Sequence, residues 1–312
     1  MTEKSKGHIA MLCSSIIFAL NVPITKSLIP YWISPLGVTS LRLSFAAIMF
    51  WIASLFVQSE KIERKDFKTF FWGSFFGMGF NQVLFILGLS LTSPIDATII
   101  ATLSPMMVML ISAAVLKEPI TVKKALGVII GASGAILIVL AEAAKQDTLH
   151  KSSWLGNILI LCSATSYATY LVVTRPISQK YKPITLLKWM FLFSMIMVLP
   201  FTYSELANAK ILQAFDLNIS WRLVYMLLMG TFVAYFLIPV ALKRLRPTTV
   251  GSYNYLQPLV ASLAAIVVGQ DVLTWEKPAA AVLVFSGVYL VTTSKSRADV
   301  EREKAQINAQ SK

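Results

Sequence analysis

The sequence predicts an all-α integral membrane fold, with ten transmembrane helices arranged as two inverted five-helix repeats. Three observations predict it. The 312-residue chain is 56% hydrophobic and only 14% charged, whereas soluble domains carry about 25% charged residues. Apolar runs of roughly 20 residues recur along its length, each enough to cross a hydrocarbon layer about 30 Å thick. One segment also occurs twice. Pro94, Leu103, Pro105, Glu118, Thr121, Lys124 and Gly134 return without a gap, 153 positions later, as Pro247, Leu256, Pro258, Asp271, Thr274, Lys277 and Gly287. A second echo, at 149 positions, matches Gly7, Leu12-Cys13-Ser14, Ala19 and Thr25 with Gly156, Leu161-Cys162-Ser163, Ala168 and Thr174. Weak internal symmetry of this kind is the trace of membrane bundles built from two halves about a pseudo-two-fold axis.

The ten runs are 8–28, 35–57, 69–90, 94–116, 125–142, 154–174, 184–203, 222–242, 248–269 and 278–294. In hydrocarbon each must be helical, because no water is present to satisfy the backbone. The first run follows Lys4 and Lys6 but continues past Pro23 without a small-x-small cleavage site, so it reads as a span and not as a signal peptide. The repeats run 7–142 and 154–294, and 295–312 is a charged tail placed in the cytoplasm. With the amino terminus inside, twenty Lys and Arg fall on the cytoplasmic side and six outside, which sets both termini in the cytoplasm. That bias accounts for the net charge of +13. No basic-aromatic groove supports a nucleic-acid partner; the expected partners are the lipid bilayer and a small-molecule substrate.

Five crossings per half reverse the second copy, and the loops carry that reversal. Residues 117–124 hold Lys117, Lys123 and Lys124, whereas the matching 270–277 hold Gln270, Glu276 and Lys277. LTSP at 91–94 has no cation, whereas LKRLRP at 242–247 has three. Equivalent loops with opposite charge bias lie on opposite sides of the membrane.

Polar groups kept in hydrocarbon either line a cavity or bind helices together. In the sixth run Ser163, Ser166, Tyr167, Tyr170 and Thr174 share one helical face. Ser14, Phe18, Asn21 and Thr25 repeat the device in the first run, the third offers Asn81 and Gln82, and the ninth offers Tyr253, Asn254 and Gln257. The candidate substrate-binding set is Asn21, Arg42, Asn81, Gln82, Tyr167, Tyr170, Tyr253, Asn254 and Gln257. Arg42 lies roughly 10 Å in from the outer end of its span, where a cation either meets a substrate carboxylate, snorkels, or bonds carbonyls at the repeat interface. Lys188 and Arg222, near helix ends, are expected to snorkel. Asp96 either caps the fourth span beside Pro94 or takes a proton, which leaves proton coupling open. Pro105 and Pro258 are candidate symmetric hinges, since a proline removes a backbone hydrogen bond and displaces a carbonyl one turn back. Gly73-x-x-x-Gly77 and Gly127-x-x-x-Gly131 permit close helix approach.

Several classes are excluded. No Gly-x-x-x-x-Gly-Lys-Ser/Thr loop encodes an ATPase motor, and no H-E-x-x-H or G-x-S-x-G motif or paired carboxylate in the spans suggests an enzyme. His8 and His150 fall on opposite membrane surfaces, so no metal or cofactor is expected. Cys13 and Cys162 likewise fall toward opposite sides and read as small packing residues, not as a disulfide.

The doubled segments Pro94–Gly134 and Pro247–Gly287 resemble the drug/metabolite transporter superfamily, specifically its ten-helix EamA-type family. Phe18-Ala19-Leu20-Asn21 is similar to the family's first-helix Trp-Gly-x-Asn, and Leu41-Arg42-Leu43 to its second-helix Leu-Arg-Phe. The chain departs from the pattern where Phe18-Ala19 replaces Trp-Gly and where Asp271 stands for the usual Glu. The resemblance implies a secondary transporter of the cytoplasmic membrane that exports small metabolites such as amino acids. It also implies that the fifth helix of such proteins can support a homodimer. A membrane-embedded sensing or binding protein without transport activity is the other class this architecture would serve.

Overall fold

The computed structural model describes residues 2–29, 31–91, 100–143, 153–212, 217–267, 275–295, 297, 299–302 and 306. Among them every regular element is helical. Helix α1 (Glu3–Leu28) runs through Pro23. α2 (Pro35–Ser54) starts where the Ser34 hydroxyl accepts the Gly37 N–H at 3.1 Å, with Pro35 opening the first turn. α3 (Phe67–Ser74) passes through a π-helical stretch, Phe75–Gly79, into α4 (Phe80–Leu91). α5 (Ser104–Leu116) opens on Pro105 and stops at Lys117, whose left-handed backbone (φ 54°) closes the helix. α6 (Val122–Ala143) completes the first half.

The second half repeats the plan. α7 (Trp154–Val173), the short α8 (Arg175–Lys180) and α9 (Pro183–Ala207) are followed by α10 (Leu217–Val224). A π stretch, Tyr225–Val233, leads from α10 into α11 (Ala234–Leu242). α12 (Pro247–Ser252), a 3-10 turn at Tyr253–Tyr255 and α13 (Leu256–Val267) form the ninth run, and α14 (Glu276–Thr292) the tenth. Helix therefore lies on each of the ten apolar runs. Among the described residues six helical stretches are long and apolar enough to cross a membrane: Glu3–Thr25, Pro35–Ser54, Arg64–Gly88, Trp154–Val173, Pro183–Ala207 and Leu217–Leu242. The fourth and ninth runs are interrupted ahead of Pro105 and Pro258, and α14 is 17 residues long.

Packing repeats at the two sequence offsets. α6 lies along α14 and α2 along α9, each pair joining equivalent helices. α4 packs on α7, and α11 packs on α1 in the matching place. α5 packs on α7 as α13 packs on α1. The hydrogen bonds follow. Ser163 Oγ donates to the Asn81 carbonyl at 3.0 Å, and its equivalent Ser14 donates to the Ala234 carbonyl at 3.0 Å. Both π stretches carry matching glycines, Gly77 and Gly230, set where those helices cross α7 and α1.

The small face of α6 is used inside the chain. A Cβ on Gly127 would come within 2.9 Å of the Gly287 carbonyl, and one on Gly131 within 2.6 Å of the Tyr255 ring. The close approach that these glycines permit is to α14 and the ninth run. Cys13 and Cys162 are exposed free thiols on the outside of the bundle, not packing residues. Lys188 lies 5.0 Å over the Trp51 ring and Arg222 5.7 Å over Trp221, each pairing its charge with an aromatic face.

Candidate functional site

The site forms where α1, α2, α4, α7 and the π stretch of the eighth run converge. The glycine at 230 is the pivot. Its bare Cα lets the Asn21 carboxamide lie directly on the backbone, where any Cβ would overlap Asn21 Oδ1. Its carbonyl accepts Arg42 Nη2 at 3.2 Å, and Thr231 Oγ1 accepts Arg42 Nε at 2.9 Å. Both acceptors lie in the π-helical stretch Tyr225–Val233, a geometry found often at functional sites. Thr231 in turn donates to the Met226 carbonyl five residues back, at 2.9 Å.

Gln82 and Tyr235 close one wall. Gln82 Nε2 donates to the Tyr235 hydroxyl at 3.1 Å, and these are equivalent positions 153 apart. The Tyr235 ring meets Phe18 edge-on at 5.5 Å and Phe191 at 5.3 Å. Tyr167 and Tyr170 stand together on α7 with ring centroids 5.9 Å apart. Tyr170 is 1% exposed and its ring fills the socket at Gly77, where a Cβ would come within 2.5 Å.

Asn21 is 5% exposed, and its Oδ1 is buried with no hydrogen-bond partner. An amide deprived of water and left unpaired costs about 1–3 kcal/mol. Beside it stands a guanidinium held only by neutral acceptors. Such an arrangement stores unsatisfied polarity at one point, which a polar ligand would discharge.

The other candidates separate into two groups. Asn81 Nδ2 donates to the Ser163 carbonyl at 2.8 Å and to Ser163 Oγ at 2.9 Å, so this amide ties α4 to α7. Ser166 likewise donates to the Phe76 carbonyl, and Thr174 bonds its own helix at Tyr170. Tyr253, Asn254 and Gln257 gather at the break in the ninth run. The Tyr253 hydroxyl shares a 2.8 Å hydrogen bond with His8 Nδ1, and Gln257 Nε2 donates to Asn254 Oδ1 at 3.4 Å. His8 precedes Asn21 by about 20 Å along α1 at 1.5 Å per residue, so the Tyr253 hydroxyl sits toward the amino-terminal end of α1 and not beside Arg42. Asp96 and Asp271 lie outside the described residues. Among the described residues no three His, Cys, Asp or Glu side chains gather as metal ligands.

The residues that sequence reasoning missed are Thr231, Gly230 and Tyr235. A signal for two of them exists in the sequence. Shifting Gly77 and Gln82 by the same 153 positions lands on Gly230 and Tyr235.

Comparison with known proteins gives the kinship. The EamA-like transporter family profile matches residues 5–140 and again 154–293. An uncharacterized transporter of the archaeon Archaeoglobus fulgidus is 26% identical over 264 residues, spanning 85% of this chain and 91% of its own. The uncharacterized transporter YetK of Bacillus subtilis is 21% identical, covering 96% and 91%. A WAT1-related protein of Arabidopsis thaliana is 24% identical, covering 94% and 87%. A solved crystal structure superposes with a TM-score of 0.77 at 16% identity, over 92% of this chain and 96% of that one, which establishes likeness of fold. This multi-pass membrane protein belongs to the EamA-like transporter family.

Proposed function

We propose that the chain is a secondary transporter that exports small metabolites such as amino acids across the cytoplasmic membrane by alternating access. Its working parts are two inverted five-helix repeats, 7–142 and 154–294, with ten spans and both termini in the cytoplasm. The observation that carries this reading is the site's position. It lies where α1, α2, α4, α7 and the eighth run meet, drawn from both halves and joined by a hydrogen bond between equivalent residues, Gln82 and Tyr235. A site shared by two inverted halves can open to one side when the halves adopt one pair of shapes and to the other when they exchange them. The sequence encodes no motor, so flux follows a gradient of substrate or of a coupled ion. Relatives that carry the name transporter support the same reading.

Pro105 and Pro258 supply the bending points. In the fourth run helix is interrupted at 102–103, and in the ninth a 3-10 turn occupies Tyr253–Tyr255, each just ahead of its proline. Asn81, Tyr253, Asn254 and Gln257 then act at the edges of the path, where helix contacts change as it opens, while Asn21, Arg42, Gln82 and Tyr167 face the cargo and Tyr170 holds α7 against the third run.

Purified protein in proteoliposomes, given a panel of labelled metabolites, tests the reading. Saturable, time-dependent flux of at least one compound is expected. Ligand binding with no flux of any would instead make the chain a sensing protein.

A further inference from the structure

We infer that the cargo is a small organic monoanion, its carboxylate paired with Arg42 and a neutral polar group, such as a hydroxyl, at Asn21. This rests on the transport reading above and narrows its small metabolites to hydroxy acids in preference to amino acids.

The guanidinium offers five N–H donors. Two are engaged, one on Thr231 Oγ1 and one on the Gly230 carbonyl. Both acceptors are neutral, and no carboxylate lies within ion-pair distance of Arg42 among the described residues. Arg42 is partly covered, and its other three N–H groups have no hydrogen-bond partner among the described residues. A charge left unpaired at this depth is costly, and the expense falls when an anion neutralises it. One guanidinium with three free N–H groups matches one carboxylate, bound by parallel hydrogen bonds. Among the described residues no second cation is engaged with the same acceptors, so the site suits a single negative charge and not a dianion.

Asn21 sets the other end. Its carboxamide lies on the Cα of Gly230, the residue whose carbonyl Arg42 holds, so the two groups are neighbours. The amide has an unpaired acceptor and can take a hydrogen bond from a hydroxyl or from an ammonium. The adjacent guanidinium decides between them, because it repels an ammonium and is indifferent to a hydroxyl. Phe18 and Tyr235 offer an aromatic contact for an apolar body. A 2-hydroxy acid satisfies all three groups, whereas the matching amino acid satisfies two and opposes one.

Three probes share one ring and differ in charge: 4-hydroxyphenyllactate (−1), tyrosine (0) and tyrosinamide (+1). Thermal shift and proteoliposome flux would be measured with each, on the wild type, Arg42→Gln and Arg42→Lys. The wild type is expected to prefer them in that order. Arg42→Gln should weaken the anion about tenfold or more and level the three, while Arg42→Lys keeps the order with reduced affinity. Equal or reversed preference in the wild type overturns the proposal. So does a folded Arg42→Gln variant that is less heat-stable but keeps the wild-type ratio of anion to zwitterion, the outcome for an arginine that only ties α2 to the eighth run. If none of the three moves but another labelled metabolite does, the charge assignment fails and transport stands; if nothing in the wider panel moves, both fail.

Discussion

The bundle contains the same socket twice, and the two are filled differently. At Gly77 the ring of Tyr170 packs against the third run; at Gly230 the carboxamide of Asn21 packs against the eighth. The serines flanking them, Ser163 and Ser14, make equivalent bonds to the Asn81 and Ala234 carbonyls. The scaffold is therefore duplicated while the chemistry is not. One socket is filled by an apolar ring that completes a core. The other holds an unpaired amide beside an unpaired cation. On the proposed reading, repetition maintains the geometry that both halves need to exchange shapes, and the departure from repetition is where a ligand would be chosen.

The comparison breaks most visibly on truncation. Tyr170→Ala should cost about 3–5 kcal/mol of stability, because a buried ring leaves a cavity that α7 and the third run cannot close. Asn21→Ala should leave thermal stability nearly unchanged, since the amide loses no partner, while transport falls about tenfold or more. Thermal unfolding in detergent and flux in vesicles, measured on both variants, check the contrast. Reversed effects would mean that the polar socket is the structural one.

Adding a methyl to each socket is the converse experiment. Gly77→Ala drives a Cβ into the Tyr170 ring and should destabilise by about 1–3 kcal/mol. Gly230→Ala pushes the Asn21 amide off its seat and should mainly raise the substrate concentration needed for half-maximal flux. A smaller effect is expected at the prolines. Pro105→Ala and Pro258→Ala should shift the inward- and outward-open populations in opposite senses, limited by how differently each substitution affects the two states. Side-specific cysteine labelling reads the populations, and shifts of the same sign would make the prolines static.

How much of this was legible in the sequence follows from what each signal encodes. Hydropathy encodes length, so all ten runs were readable and helix falls on each. The doubled pattern encodes equivalence, so Ser14 and Ser163 were matched before their shared bonding was known. Hydropathy does not encode rotation about a helix axis. Asn81 therefore read as a cavity amide although it faces Ser163, and Tyr253 read as central although its hydroxyl reaches His8. The π stretches were invisible because their cause is a backbone turn around glycine, with no change in polarity. Arg42 was visible as a buried cation, but its neutral acceptors on the eighth run, Thr231 Oγ1 and the Gly230 carbonyl, were not.

The smallest effect expected is none. Cys13→Ser with Cys162→Ser should fold and transport as the wild type does, because both thiols lie on the outside of the bundle. That background permits the most direct test of the central claim, that one site is reached from both sides in turn. Phe18→Cys places a thiol at the Tyr235 wall, and a membrane-impermeant thiol reagent is applied from either face of sealed vesicles. Alternating access predicts labelling from each face, with the ratio of the two rates changed by a transported compound. Labelling from one face only, whatever compound is present, would contradict it.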